Sequence, residues 1–305
     1  MNTKTLAALR SAAHDAADSP ARFADGGHYR IEIPSVEGPA AFDAVIVAAD
    51  RTDVPVHRIS QGSGITLLRN SEISAMAALG AARGIEVCLF VGPRAPWDGT
   101  SAGALAPGGG NLGWRHATVA SLQHAFDDVV RAVGLGIRSV LVADEGLIVL
   151  IAAARQVGEL PADLIVKASA VLGIANPIGA AFLADAGADT LNIGSDIAIG
   201  ELAAFRANVS CPLDMYIEAP DSLGGFMRYG DLPELVRVGA PIHLKFGLRN
   251  APNIYPAGEH LERAVIDSAR ERVRRARIGL DTLARNNVTF IPSPPGSTRP
   301  GVPVI

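Results

Sequence analysis

Eight short runs of apolar and β-branched residues punctuate the chain. They are YRIEIPS from Tyr29, PVHRIS from Pro55, IEVCLFVG from Ile85, SVLVAD from Ser139, DLIVKAS from Asp163, DTLNIG from Asp189, PLDMYIEA from Pro212 and PIHLKFG from Pro241. Runs of this length and composition predict buried parallel strands. Between them lie longer, Ala-rich segments of helical character, such as SEISAMAALGAARG from Ser71, VASLQHAFDDVVRAVGLG from Val119, NPIGAAFLADAGA from Asn176 and AIGELAAFRANV from Ala198. Their starts carry Ser, Asp or Asn-Pro, and several end at Gly, as helix boundaries do. A long basic helix over Glu259 to Arg285 would close the series.

Strict alternation of strand and helix over eight units predicts a (β/α)8 TIM-type barrel, with an open α/β sheet as the competing arrangement. The expected organisation is an N-terminal helix (Lys4 to Ala17) and extension over residues 1–28, the barrel over 29–287, and a Pro-rich arm over 288–305. A VTFIPS run from Val288 leaves room for an extra strand, and the arm is expected to be extended and free to reach a neighbouring subunit of a homo-oligomer. One connection is far longer than the rest: more than twenty residues follow the third strand, including Arg94, Trp97, Gly108-Gly109-Gly110, Trp114, Arg115 and His116. Loops this long are functional or disordered, and aromatic residues beside a glycine hinge suggest a lid over a ligand, against the plainer reading of a surface insertion.

Composition narrows the function. With 49% hydrophobic residues in 305 the chain can fill a large core, and a net charge of −4 offers no basic field for nucleic acid. No run approaches the roughly 18 apolar residues of a membrane span, and the acidic, amphipathic start lacks the apolar core of a signal peptide, so a cytoplasmic protein is expected. Cys88 and Cys211 lie in separate apolar runs and read as two buried thiols.

In a barrel the reacting groups sit at the carboxyl ends of the strands and in the loops that follow. Those positions hold Glu32, Arg58, Gln61, Arg94, Asp144, Glu145, Lys167, Ser169, Asn192, Asp196, Glu218, Lys245 and Arg249. The lysines are the most informative. The chain uses arginine freely yet has only Lys4, Lys167 and Lys245, and the last two lie inside apolar strand runs. A buried lysine can lose its proton, which arginine cannot, so the candidate roles are Schiff-base nucleophile, proton carrier or point charge. The plainer alternative is an internal ion pair with Glu218 or Glu145. Glu218 ends the seventh strand and Lys245 nearly ends the eighth. With adjacent strands about 4.8 Å apart, their head groups are expected to meet.

Lys245, Lys167, Glu218 and Glu145 are therefore the candidate catalytic residues. Arg228, Arg249, Asn250, Asn192, Arg94 and Gln61 are the candidate substrate-binding ones, with Gly-rich loops after the last two strands suited to an anion. Asp144-Glu145 reads either as an ordinary helix N-terminus or, with Glu218, as oxygen ligands for a divalent metal. No HExxH or GxSxG pattern occurs. The expected function is a lyase, aldolase-like or hydrolytic reaction on a small carboxylated or phosphorylated substrate, with a non-catalytic ligand-binding barrel and a divalent-metal hydrolase built on Asp144, Glu145 and Glu218 as the alternatives. The cofactor is left open.

The stretch KASAVLGIANPIGAAFLADAGADTLNIGSDIAIGELAAFRANVSCPLDMYIEA, Lys167 to Ala219, resembles the collagenase-like peptidase group, the unknown-type peptidase family thirty-two. The shared succession is a strand, an Asn opening a helix (Asn176), a small-residue turn, the next strand, an acidic-start helix and a further strand. The resemblance implies a barrel fold and kinship with peptidases and with hydroxylation proteins, some of which hold an iron–sulfur cluster. This chain reads Glu218-Ala219-Pro220-Asp221-Ser222-Leu223-Gly224-Gly225-Phe226-Met227-Arg228 where the family carries a His-Gly step and a cysteine motif. Two cysteines cannot supply four cluster ligands, so the resemblance marks a divergent member without cluster chemistry.

Overall fold

A computed structural model describes residues 16–92, 114–286, 289–296 and 300–305. The eight apolar runs are strands: β1 Tyr29–Pro34, β2 Val56–Ser60, β3 Glu86–Phe90, β4 Ser139–Val142, β5 Ile165–Ala168, β6 Thr190–Asn192, β7 Leu213–Glu218 and β8 Ile242–Phe246. All pairs are parallel, and β8 returns to β1, so the sheet closes in sequential order. Pro55, Pro212 and Pro241 stand just outside β2, β7 and β8, since a ring nitrogen has no N–H to give the ladder.

Each strand is followed by a helix: α1 Pro39–Thr52, α2 Asn70–Arg83, α3 Val119–Gly134, α4 Glu145–Gln156, α5 Pro177–Asp185, α6 Ile199–Asn208, α7 Leu232–Gly239 and α8 Glu262–Arg285. This is a TIM barrel. Local sequence sets the helix ends. Asn176 accepts from the N–H groups of Ile178 and Gly179, and Pro177 fills the first helical position, where no N–H is needed. The predicted long basic helix begins three residues late, because Glu259–Leu261 winds as a 3-10 turn first.

The core lies between sheet and helices. Ile31, Ile33, Ile59, Val87, Leu89, Val140, Val166, Leu191, Met215 and Leu244 are all fully buried there. The other face of the strands, which in such barrels is filled mostly by branched apolar side chains, is polar here. Glu32, Arg58, Glu86, Lys167, Asp214, His243 and Lys245 are buried within the ring. Their contacts run across it: Arg58 on β2 reaches Asp214 on β7 at 2.7 Å, and Lys167 on β5 bonds Glu32 on β1.

Chain termini close the amino end of the barrel. His57 Nε2 lies 2.8 Å from the Ser293 carbonyl, and Arg30 Nε donates to Ser293 Oγ at 2.9 Å. Gly301, at φ +87°, lies so close beneath Glu86 that a Cβ would fall 2.7 Å from its carboxyl carbon. The described parts of the C-terminal arm thus pack on the amino end of the barrel, and among the described residues the VTFIPS run adds a single bridge, Tyr29 to Pro292, instead of a strand. The expected N-terminal helix falls mostly, and the body of the expected lid loop wholly, outside the described residues. Among the described residues no helix is long and apolar enough to cross a membrane.

Candidate active site

A cavity of about 810 Å³ opens at the carboxyl ends of the strands. Its floor holds Ser60, Tyr216 and Lys245, and its walls come from the loops after β2, β5, β7 and β8 and from Arg272 on α8. Lys245 Nζ donates to Asn192 Oδ1 at 2.6 Å, lies 3.3 Å from Glu32 Oε1 and sits 4.2 Å from the Tyr216 ring centroid.

Beneath this floor is an ionic centre sealed from water. Glu32 receives Lys167, Arg58 at 3.2 Å and Ser60 Oγ at 2.8 Å. Asp214 receives Arg58 at 2.7 Å, His243 Nδ1 at 2.9 Å, Lys167 at 3.8 Å and the Thr190 hydroxyl. Glu86 pairs with Arg58 Nε at 2.8 Å and accepts from Ser139 Oγ at 2.7 Å. Three carboxylates face three cations, so the group is neutral as a whole when His243 is unprotonated.

Burial alone would raise both acids. The ammoniums of Lys167 and Lys245 and the Arg58 guanidinium outweigh it at Glu32, and Lys167, Arg58 and His243 do so at Asp214, so both carboxyls are held well below the usual range. Burial lowers Lys167, with Asp214 and Glu32 opposing it. Burial, aided by the Arg58 charge, brings His243 down to about 4.

The predicted site residues divide sharply. Lys245 and Asn192 are together at the cavity floor. Gln61 lines the cavity, but its amide is spent on the Gly64 backbone, donating at 3.2 Å and accepting at 3.1 Å. Lys167 is wholly buried one level down and does not line the cavity.

Glu218 does not meet Lys245. The register of β7 against β8 shifts between Tyr216 and Glu218, and the carboxylate accepts from Tyr229 Oη at 2.8 Å and the Arg249 N–H at 2.9 Å. Glu145 pairs with Arg115 at 2.6 Å, and Asp144 caps α4 by accepting from Leu147 N at 2.8 Å. The reading of Asp144, Glu145 and Glu218 as metal ligands loses its basis, because each is engaged separately. Among the described residues no group of three or more His, Cys, Asp or Glu is placed to hold a metal.

Arg228 ties down the loop after β6 through the carbonyls of Ser195 at 3.1 Å and Ile197 at 2.6 Å. Arg249 and the Asn250 N–H both hold Asp221. Arg94 lies outside the described residues. Burial pushes the Cys88 thiol up to about 12 and the Cys211 thiol to about 11, which leaves both unreactive. Tyr216, Tyr255 and Arg272 are among the cavity residues that were not foreseen.

With this geometry in hand, the chain can be set beside known proteins. No family model matches it, and no curated protein does. Solved structures do. A candidate fructose-1,6-biphosphate aldolase from Coccidioides immitis is 14% identical, with a TM-score of 0.53 over 85% of this chain and 92% of that one. A U32 peptidase is 21% identical, with a TM-score of 0.43 over 66% and 73%. A 3-hexulose-6-phosphate synthase is 17% identical, with a TM-score of 0.40 over 81% and 99%. The likeness is one of fold. At these identities the barrel is shared and the chemistry has to be argued from this chain's own residues.

Proposed function

We propose that the cavity is the substrate site of a lyase or aldolase-like enzyme acting on a small carboxylated or phosphorylated carbonyl compound, with Lys245 as the reacting group. One observation carries this reading: of the charged side chains inside the barrel, Lys245 is the one that lines the cavity. An ammonium at the floor of the cavity can place its charge against a carbonyl oxygen and stabilise the enolate that forms when an adjacent C–C bond breaks. It can also lose its proton and add to the carbonyl carbon. Water then leaves, and the iminium accepts the electron pair of the breaking C–C bond to give an enamine. A proton from water adds at carbon, and hydrolysis of the iminium so restored returns the free amine.

The surroundings favour the first role. Glu32, the carboxylate beside Lys245, is held as an anion by Lys167 and Arg58 as well, which makes it a poor acceptor for the lysine proton. Lys167 supports Lys245 through Glu32 and does not touch substrate. Kinship with the collagenase-like peptidase group remains a proposal about the barrel's ancestry, resting on Lys167 to Ala219. A second reading is binding without turnover. It is favoured by Asp221, the one carboxylate among the described residues that line the cavity, being taken up by Arg249 and Asn250.

The test is turnover of a panel of small 2-oxo acids and sugar phosphates, with and without borohydride. Lys245→Met should lower kcat by about 10² to 10³ while the protein stays folded, and borohydride should trap no lysine adduct. Full turnover by Lys245→Met would overturn the role. An adduct on Lys245 would move it to the iminium route. No turnover anywhere in the panel would favour the binding reading.

A further inference from the structure

Arg272 projects from α8 into the cavity wall. It occupies the inward stripe of that helix, in step with Val265, Ala269, Ala276 and Leu283, and it is 4% exposed. Yet it has almost nothing to hold. Its one hydrogen bond is long, from Nη1 to the Ser35 carbonyl at 3.4 Å, and Nε is buried without a partner. No described residue forms an ion pair with it. The acid that acts on it, Glu37, turns both carboxylate oxygens to the Gly62 and Ser63 N–H groups at 2.8 Å each. Tyr255 and Tyr216, neutral phenols, line the cavity with it, and burial lowers its proton affinity. Arg58, buried to the same degree, has three carboxylates around it. A buried guanidinium without an anion is costly, and here it borders the space where an anion could enter.

We infer that Arg272 holds the substrate's anionic group, and that this group is the carboxylate of a molecule with an apolar body rather than the phosphate of a sugar. The inference rests on reading the cavity as the substrate site. A planar guanidinium fork matches a carboxylate. One side of the surrounding wall is apolar, formed by Phe90, Trp114, Leu141, Leu172, Leu248 and Ile254, and suits an apolar body. The backbone N–H groups of Gly62 and Ser63 are already occupied by Glu37 and do not serve to cradle a phosphate. Arg272 and Lys245 line one cavity together with Tyr216, over whose ring Lys245 lies, so both cations face the same bound molecule.

Calorimetric titration with hexanoate, hexanol and ribose 5-phosphate tests this. Hexanoate should bind and ribose 5-phosphate should not. Arg272→Met should weaken hexanoate about tenfold or more and leave hexanol within about twofold. Its Tm should hold or rise, because an unpaired buried charge is replaced by an apolar side chain of similar length. Unchanged hexanoate affinity in Arg272→Met would overturn the inference, as would ribose 5-phosphate binding in place of hexanoate. A large drop in Tm with loss of both hexanoate and hexanol would show a brace instead of a binding group. If Arg272→Met does not fold, Arg272→Gln, which keeps a polar head without the charge, carries the same comparison. Full turnover by Lys245→Met would sink the catalytic reading alone, because the Arg272 titration does not depend on it. Hexanoate binding that ignores Arg272, beside turnover that needs Lys245, would sink this inference alone.

Discussion

Lys167 and Lys245 stand on strands of one barrel, point into the same interior and share one carboxylate, Glu32. Lys167 has Glu32 and Asp214 around it and no route to solvent, so its charge is spent on structure. Lys245 has Glu32 on one side, the neutral amide of Asn192 on another and the cavity above. A few ångströms along the barrel axis separate a brace from a candidate reactant. Burial and strand position alone do not distinguish the two roles; access to the cavity does.

Removing charge from the sealed side should do the most damage. Lys167→Met leaves Glu32 and Asp214 short of a cation in a dry interior and should cost about 3–5 kcal/mol in a urea titration. Lys245→Met, with its head group at the cavity, should cost about 1–2 kcal/mol. Equal losses would erase the distinction drawn here.

Acid should attack the same centre next. His243 has an ordinary value of 6.5 and is held at about 4 in the fold. The unfolded chain therefore takes up a proton that the folded chain refuses, and stability is lost as pH falls through that window, by about 3 kcal/mol in full. His243→Gln should flatten this slope, leaving the losses at Glu32 and Asp214, which come at lower pH. A slope that survives the substitution would place its origin elsewhere.

Away from the interior the effects shrink. Asp144→Ala removes the cap of α4 and should cost about 1 kcal/mol without touching ligand affinity. Arg249→Ala breaks a half-exposed pair with Asp221 and should leave the urea midpoint where it was. A large loss of ligand binding in Arg249→Ala would instead return it to the site.

Most of the barrel was legible because each strand carries its own apolar face, and a closed ring needs nothing further to name its members. Scarcity made the lysines legible too. What could not be read was register. Strict alternation would turn Asp214, Tyr216 and Glu218 all inward, but the irregularity before Glu218 carries its carboxylate off to Tyr229 and Arg249, a shift no local residue announces. Arg272 was hidden differently. It sits among Arg270, Arg274, Arg275 and Arg277 in a helix that looks solvated, and only its spacing of three and four from Ala269 and Ala276 marks it as facing in. That spacing was there to be counted.

The ionic centre also bears on how the chain is made. Glu32 meets Lys167 across 135 residues of sequence, and Arg58 meets Asp214 across 156. As the polypeptide emerges amino end first, Glu32, Arg58 and Glu86 can meet early, but Lys167 on β5, Asp214 on β7 and Lys245 on β8, which complete the centre, leave the ribosome later. Dry closure of the ring is thus a late, long-range event on the folding path, and the first four strands remain half a barrel with their apolar outer faces still dependent on helices for cover.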